Sequence, residues 1–243
     1  MARMLLLAAA ALVASVAAQT STSCSPLNGT CPDDAALGTS YNVTYNAQST
    51  DIGPDFWDIL AGEQFIAYTD KGAELTISKT GQSVTVESSF YIFWGRIEVI
   101  MQAAAGQGII STFCTLSDDL DEIDLEIMGG NQSFVESNWY GWGNTAQYNA
   151  KYHPTDGPQN GMHNYTILWS EEQIEWIIDG TSARTIKSAA PEQYPQTPSK
   201  LKYGIWAGGD STQPNGTIEW AGGPTDWSKG SVIAFISSFT KLH

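Results

Sequence analysis

The stretch Asp121-Glu122-Ile123-Asp124-Leu125-Glu126-Ile127-Met128-Gly129-Gly130 carries the densest chemistry in the chain. Read as a strand, it sets Glu122, Asp124 and Glu126 on one face and Ile123, Leu125 and Ile127 on the other, because side chains of extended backbone alternate. Three carboxylates then stand in a row above an apolar anchor. Like charges at this spacing raise the pKa of at least one of them, an arrangement that stability alone does not favour. At ~3.3 Å rise per residue the Cα atoms of Glu122 and Glu126 lie ~13 Å apart on a flat strand. With the side chains leaning together on a bent sheet, the carboxyl groups can come within ~5–5.5 Å, where one attacks an anomeric carbon and the other protonates the departing oxygen. Asp124, between them, can hold a proton or hydrogen bond that tunes both neighbours.

Other chemistries find less support. Asp118, Asp119 and Asp121 read as a solvated acidic loop leading into the alternating run. A calcium loop needs oxygen ligands at positions 1, 3 and 5 with Gly at 6, and no register supplies them. His153, His163 and His243 lack zinc spacing, so no metal or cofactor is expected. The chain has no Gly-rich phosphate loop, no Gly-x-Ser-x-Gly elbow and no Cys-His pairing, which removes the usual machinery of acyl and phosphoryl transfer.

The elements that must position the carboxylates are short period-two runs: Glu74 to Ser78, Ser83 to Glu87, Arg96 to Ile100, Tyr165 to Trp169 and Ile174 to Ile178. Each reads as a strand with one buried face. Asp179-Gly180 follows the last run and signals a hairpin, since both turn positions need positive φ. The one helix-like patch is a short turn near Asp55 to Gly62. The fold class is therefore all-β, two packed antiparallel sheets with a concave side. With 9 Trp, 10 Tyr and 8 Phe, the aromatic inventory exceeds what a core needs, and part of it can line a groove as a stacking surface for sugar rings.

The 243 residues carry 11 Lys+Arg against 26 Asp+Glu, for a net charge of −15. A surface this acidic repels nucleic acid and anionic lipid, whereas a neutral polymer is not penalised. Arg3, the apolar run from Met4 to Val13 and the small residues Ser15, Ala17 and Ala18 form a secretory leader over residues 1–18. Residues 19–243 show no repeat or linker and are expected to form a single domain, acting as a monomer. In an oxidising compartment Cys24 and Cys31 bridge across a small loop. Cys114 is left as a buried, inert thiol. Glycosylation sequons begin at Asn28, Asn42, Asn131, Asn164 and Asn215.

Glu122-Ile123-Asp124-Leu125-Glu126 resembles the Glu-x-Asp-x-Glu signature of glycoside hydrolase family 16, whose members share a concanavalin-like β-jelly roll. The likeness extends through Gly95 to Val99, Gly108 to Ser111, Asn138 to Gly141, His163 to Ile167 and Gly204 to Gly209, which resemble the fungal Crh branch of cell-wall transglycosylases linking chitin to glucan. The resemblance implies Glu122 as nucleophile, Glu126 as general acid/base and Asp124 as auxiliary carboxylate. It also implies Lys202, Trp206 and Thr217, together with Glu126, as chitin contacts, with β-glucan as acceptor and an extracellular or cell-wall location. Lys202, Gly204 and Trp206 share one parity in an apparent strand, and Gly204 is expected to leave room for a sugar. A plain β-1,3/1,4-glucan hydrolase and a non-catalytic lectin on the same scaffold are the competing readings. The chain differs from the branch in two ways: it stops at Thr240-Lys241-Leu242-His243, with no lipid-anchor tail to be read, and Leu125 and Ile127 stand where aromatic residues are frequent.

Overall fold

The computed structural model describes residue 22, residues 24–189 and residues 193–242. The expected leader and His243 lie outside them. In chain order the strands are β1 Tyr41–Thr44, β2 Trp57–Ala61, β3 Ile66–Thr69, β4 Gly72–Ile77, β5 Ser83–Ser88, β6 Gly95–Gln102, β7 Ile109–Ser117, β8 Glu122–Met128, β9 Phe134–Tyr140, β10 Lys151–Pro154, β11 His163–Trp169, β12 Gln173–Ile178, β13 Thr181–Lys187, β14 Ser199–Ala207 and β15 Val232–Leu242, with one short helix, α1, at Asn215–Trp220. They form two antiparallel sheets, one ordered β10-β9-β8-β7-β14-β5-β2, the other β13-β12-β11-β6-β15-β4-β3 with β1 beside β15. This is the all-β jelly-roll sandwich expected from the period-two runs.

The core lies between the sheets. Val84, Val86, Phe113, Ile123, Leu125, Ile127, Tyr203 and Ile205 from the first sheet meet Leu75, Ile77, Ile97, Val99, Tyr165, Ile167, Ile236 and Phe239 from the second. Burying each such side chain contributes ~1.5–3 kcal/mol, and the alternation fixes register, since a one-residue slip would turn every inward residue outward. The hairpin between β12 and β13 turns on Asp179 at φ 49° and Gly180 at φ 77°, the two positive-φ positions that the Asp-Gly pair signals. Cys24 and Cys31 are joined in a disulfide. Asn28, Asn42 and Asn215 are exposed, while Asn131 and Asn164 are half-buried.

Two expectations need correction. The Asp55 to Gly62 patch is a single turn only at its start, where Phe56 and Trp57 bond back onto the Gly53 carbonyl; from Trp57 on it is strand, since β2 pairs with β5 and buries Trp57. Ladder hydrogen bonds and burial outweigh the weak local preference. The helix lies instead at α1, directly after Pro214, where a residue with fixed φ and no N–H suits a helix start. Gly204 does not clear space for a ligand either. A Cβ there would sit 2.0 Å from the Val84 carbonyl oxygen of β5, so the glycine permits close approach of two backbones. Gly204→Ala is therefore expected to destabilise the protein by about 1–3 kcal/mol, measured as a lower thermal midpoint. An alanine variant that melts with the parent would remove this account of the β14–β5 contact.

Candidate active site

β8 lies inside the first sheet between β7 and β9. Its inward residues Ile123, Leu125 and Ile127 are fully buried in the core, which commits Glu122, Asp124 and Glu126 to the opposite, concave face. Leu125 and Ile127 therefore do not touch the groove, and their departure from the aromatic pattern leaves it unaltered. The indole of Trp176, from the facing sheet, donates to the Asp124 carbonyl at 2.9 Å and pins the strand from below. At the start of β8, Asp121 is fully buried. It accepts hydrogen bonds from the backbone N–H groups of Trp142 and Gln196 and from the Thr197 hydroxyl at 2.7–2.9 Å. It clasps two loops and is not the solvated charge expected. Asp118 likewise accepts from Thr22 and Tyr91.

Register composes the concave face. One row runs Glu87, Lys202, Cys114, Asp124, Asn138, and the next runs Thr85, Gly204, Thr112, Glu126, Glu136. Cys114 is buried as expected, but it sits in the groove floor and not in the core. Its thiol is pushed well up by burial first and by the nearby carboxylates, so it is not a nucleophile. Toward either end of the β14–β5 pair the face opens into depressions. One, of about 320 Å³, is lined by Ser83, Thr85, Trp206, Asp210 and Gln213; the other, of about 340 Å³, by Leu60, Glu87, Leu116, Lys200 and Lys202.

The three carboxyls are 2%, 1% and 4% exposed in chain order, covered by polar groove neighbours. Burial is the main cause that raises all three, and the charges then distinguish them. Glu122 is pushed up to about 8, with Lys202 pulling it back. Asp124 is pushed well up by burial and then by Glu126, Glu122 and Glu136. Glu126 is pushed well up by burial and then by Glu136 and Glu122, against one hydrogen bond from Thr112 at 3.3 Å. Arg184 also pulls Asp124 back, but against three carboxyls, whereas Lys202 is, among the described residues, the one charge acting on Glu122; Glu122 is thus placed to ionise first while Glu126 and Asp124 keep protons. Glu122 Oε2 and both Asp124 carboxyl oxygens find no hydrogen-bond partner among the described residues.

The remaining residues singled out in the sequence also gather here, with different freedom. Lys202 is buried and bonds Glu87 Oε2 at 2.8 Å, while Lys200 bonds Oε1 at 3.0 Å. Burial raises the Glu87 carboxyl, but the two lysines overcome this and hold it below its ordinary value. Trp206 is half-buried; its indole N–H donates to Thr112 Oγ1 at 3.0 Å, and it stacks on Trp220 of α1 with centroids 6.1 Å apart. Thr217 is buried on α1 with its hydroxyl unpartnered. Sequence reasoning missed Glu87, Thr112, Glu136 and Trp220. Only the cross-strand register assembles them, although Glu87 and Glu136 could have been flagged as acidic positions at the outward parity of apparent strands. Among the described residues no cluster of His, Cys, Asp or Glu is suited to hold a metal ion.

Glu122 links the site to pH. A carboxyl that holds its proton to about pH 8 when folded, but releases it near 4.5 when unfolded, costs stability as pH rises between those values, because the unfolded state then binds fewer protons. Glu122→Gln is expected to melt close to the parent below pH 4.5 and above it at pH 7–8. Melting curves of the two proteins that differ by the same amount at both pH values would contradict this placement of the charge.

Comparison with known proteins agrees with the geometry. Residues 54–222 match glycosyl hydrolases family 16. Crh-like protein 2 of Botryotinia fuckeliana is 47% identical over 229 residues, covering 92% of this chain and 50% of the relative. Congo red hypersensitive protein 1 of Saccharomyces cerevisiae is 41% identical over 219 residues, covering 88% and 42%. The chain thus spans about half the length of these curated relatives. Among solved structures, a Crh5 transglycosylase in complex with NAG superposes with a TM-score of 0.85 at 39% identity, covering 90% of each chain. A Bacillus licheniformis beta-glucanase shares the fold, with a TM-score of 0.70 at 23% identity, covering 85% of this chain and 99% of its own. Matched over most of its length to the family and to the Crh-like proteins within it, this chain belongs to glycosyl hydrolase family 16, of the Crh type.

Proposed function

We propose that this chain is a secreted cell-wall transglycosylase that cleaves β-1,4-linked chitin and transfers it to β-glucan by a retaining double displacement. The observation that carries the reading is the row Glu122, Asp124 and Glu126 on the concave face of one central strand, in a chain similar to a transglycosylase solved with a sugar bound. Glu122 attacks the anomeric carbon as a carboxylate. The glycosidic C–O bond breaks, and Glu126 gives its proton to the leaving oxygen, so that the donor is held as a glycosyl ester of Glu122. Glu126, now a carboxylate, takes a proton from the acceptor hydroxyl as that oxygen attacks the same carbon and frees Glu122. A glucan hydroxyl gives a cross-link; water gives hydrolysis.

Asp124 is the auxiliary carboxylate, holding a proton between the two glutamates and stabilising whichever is charged. Lys202, fixed by Glu87, faces Glu122 from one side and favours its ionised form. Trp206 offers an indole face to a sugar ring, and Thr217 an unused hydroxyl beside it on α1. Residues 1–18 act as the secretory leader, and the five sequons are the positions for glycans.

Incubating the protein with chitin oligomers and a fluorescent glucan oligosaccharide tests the reading. Labelled, lengthened product is the expected outcome; shortened oligomers alone would make it a hydrolase, and unchanged oligomers with measurable binding would make it a lectin. Glu122→Gln should lower transfer and hydrolysis together by about 10³-fold or more while oligomer binding persists. Near-parental turnover in that variant would retire the nucleophile assignment.

A further inference from the structure

A fourth buried carboxylate adjoins the row. Glu136 of β9 stands directly opposite Glu126 in the β8–β9 ladder, a register that sets Cβ atoms ~4.5–5.5 Å apart. The two carboxyls are satisfied unequally. Glu136 is 1% exposed, and burial raises its carboxyl against two donors that pull it back: its Oε2 accepts from the Trp220 indole at 3.0 Å, and the Tyr152 hydroxyl also bonds to it. Glu126 receives the Thr112 hydroxyl at 3.3 Å, and that hydroxyl is itself engaged by Trp206. Two adjacent buried carboxyls do not both ionise readily. The one with two donors pointed at it is the better place for the charge, and its neighbour is the better place for the proton.

We propose that Glu136 is a positioning residue that keeps the proton on Glu126, and that Trp220 and Tyr152 hold Glu136 in its ionised form. The proposal rests on the reading of Glu126 as the acid/base. Four side chains flank that acid: Trp206 reaches Glu126 through Thr112, Trp220 bonds Glu136, which stands opposite Glu126 in the ladder, and the two indoles stack on each other. The sugar-stacking floor and the proton donor are thus fixed by one piece of packing. The other titratable and charged groups facing Glu126 are Glu122 and Asp124 on β8, Cys114 on β7, Lys202 on β14 with its partner Glu87, and Tyr140 on β9, with Tyr152 of β10 and Tyr148 beyond Glu136; Glu219 of α1 is exposed. Of the charges, Glu136 raises Glu126 most, ahead of Glu122.

The test compares pH profiles of kcat/KM for Glu136→Gln and for Trp220→Phe, which keeps a stacking ring and loses the N–H donor. With the anionic neighbour gone or less charged, Glu126 releases its proton earlier. The high-pH limb should then move down by about one pH unit in Glu136→Gln and by less in Trp220→Phe, with KM for chitin oligomers unchanged. Profiles superimposable on the parent's, whatever their height, would overturn the proposal, and Trp220→Phe carries the test if Glu136→Gln does not fold. Carbon-13 titration of the Glu126 carboxyl in the free protein, assigned by its loss in Glu126→Gln, needs no turnover. A downward shift there in a protein without activity would sink the functional reading and support this one, and no shift would sink this one even in an active enzyme.

Discussion

Everything in the groove depends on one crowded strand that keeps three carboxyls on a single face. Two carboxylates at i and i+2, ~6.6 Å apart, repel by ~2.5 kcal/mol at an effective dielectric of 20, so three ionised groups would oppose the fold strongly. The opposite face supplies the counterweight. Ile123, Leu125 and Ile127, each fully buried, contribute ~1.5–3 kcal/mol apiece, a gain of the same order as that repulsion. Protons retained in the row relieve that repulsion, and the proposed acid/base needs one.

The surroundings decide where the single charge goes. Lys202 stands near Glu122 and is itself locked by Glu87, whose second oxygen is taken by Lys200. A free lysine could swing away or be neutralised by solvent; one ion-paired in a buried groove remains a fixed cation. At the other end of β8, Glu136 places negative charge beside Glu126 and favours its proton. The row is polarised from both ends, cation beside the proposed nucleophile and anion beside the proposed acid, which is the pKa splitting that one carboxylate pair needs to play two roles.

Parity alone made much of this legible in the sequence. The alternation through Glu122 to Ile127, the Asp-Gly hairpin and the Cys24–Cys31 pair each depend on neighbours a few residues apart, and local chemistry settles them. Cross-strand register is different. Glu136 faces Glu126, and Glu87 faces Lys202, through ladders closed over separations of ten to more than a hundred residues. No periodicity within a single strand indicates which outward residue meets which. Gly204 and Asp121 show the same limit: one serves a neighbouring backbone and the other clasps two distant loops.

Where the row sits also bears on the fate of the proposed glycosyl intermediate. β8 is anchored by core side chains beneath it, by the Trp176 indole on the Asp124 carbonyl and by the Asp121 clasp at its start, so the catalytic face has little freedom to adapt to one acceptor over another. In that proposed intermediate a rigid row would expose the same anomeric carbon to water and to a sugar hydroxyl alike. Selection between them must then lie in what occupies the groove around the row, by stacking on faces such as Trp206 and by excluding water as a polymer fills the depressions beside β14. In the proposed reaction, cleavage is thus set by a fixed strand and transfer by the surfaces around it.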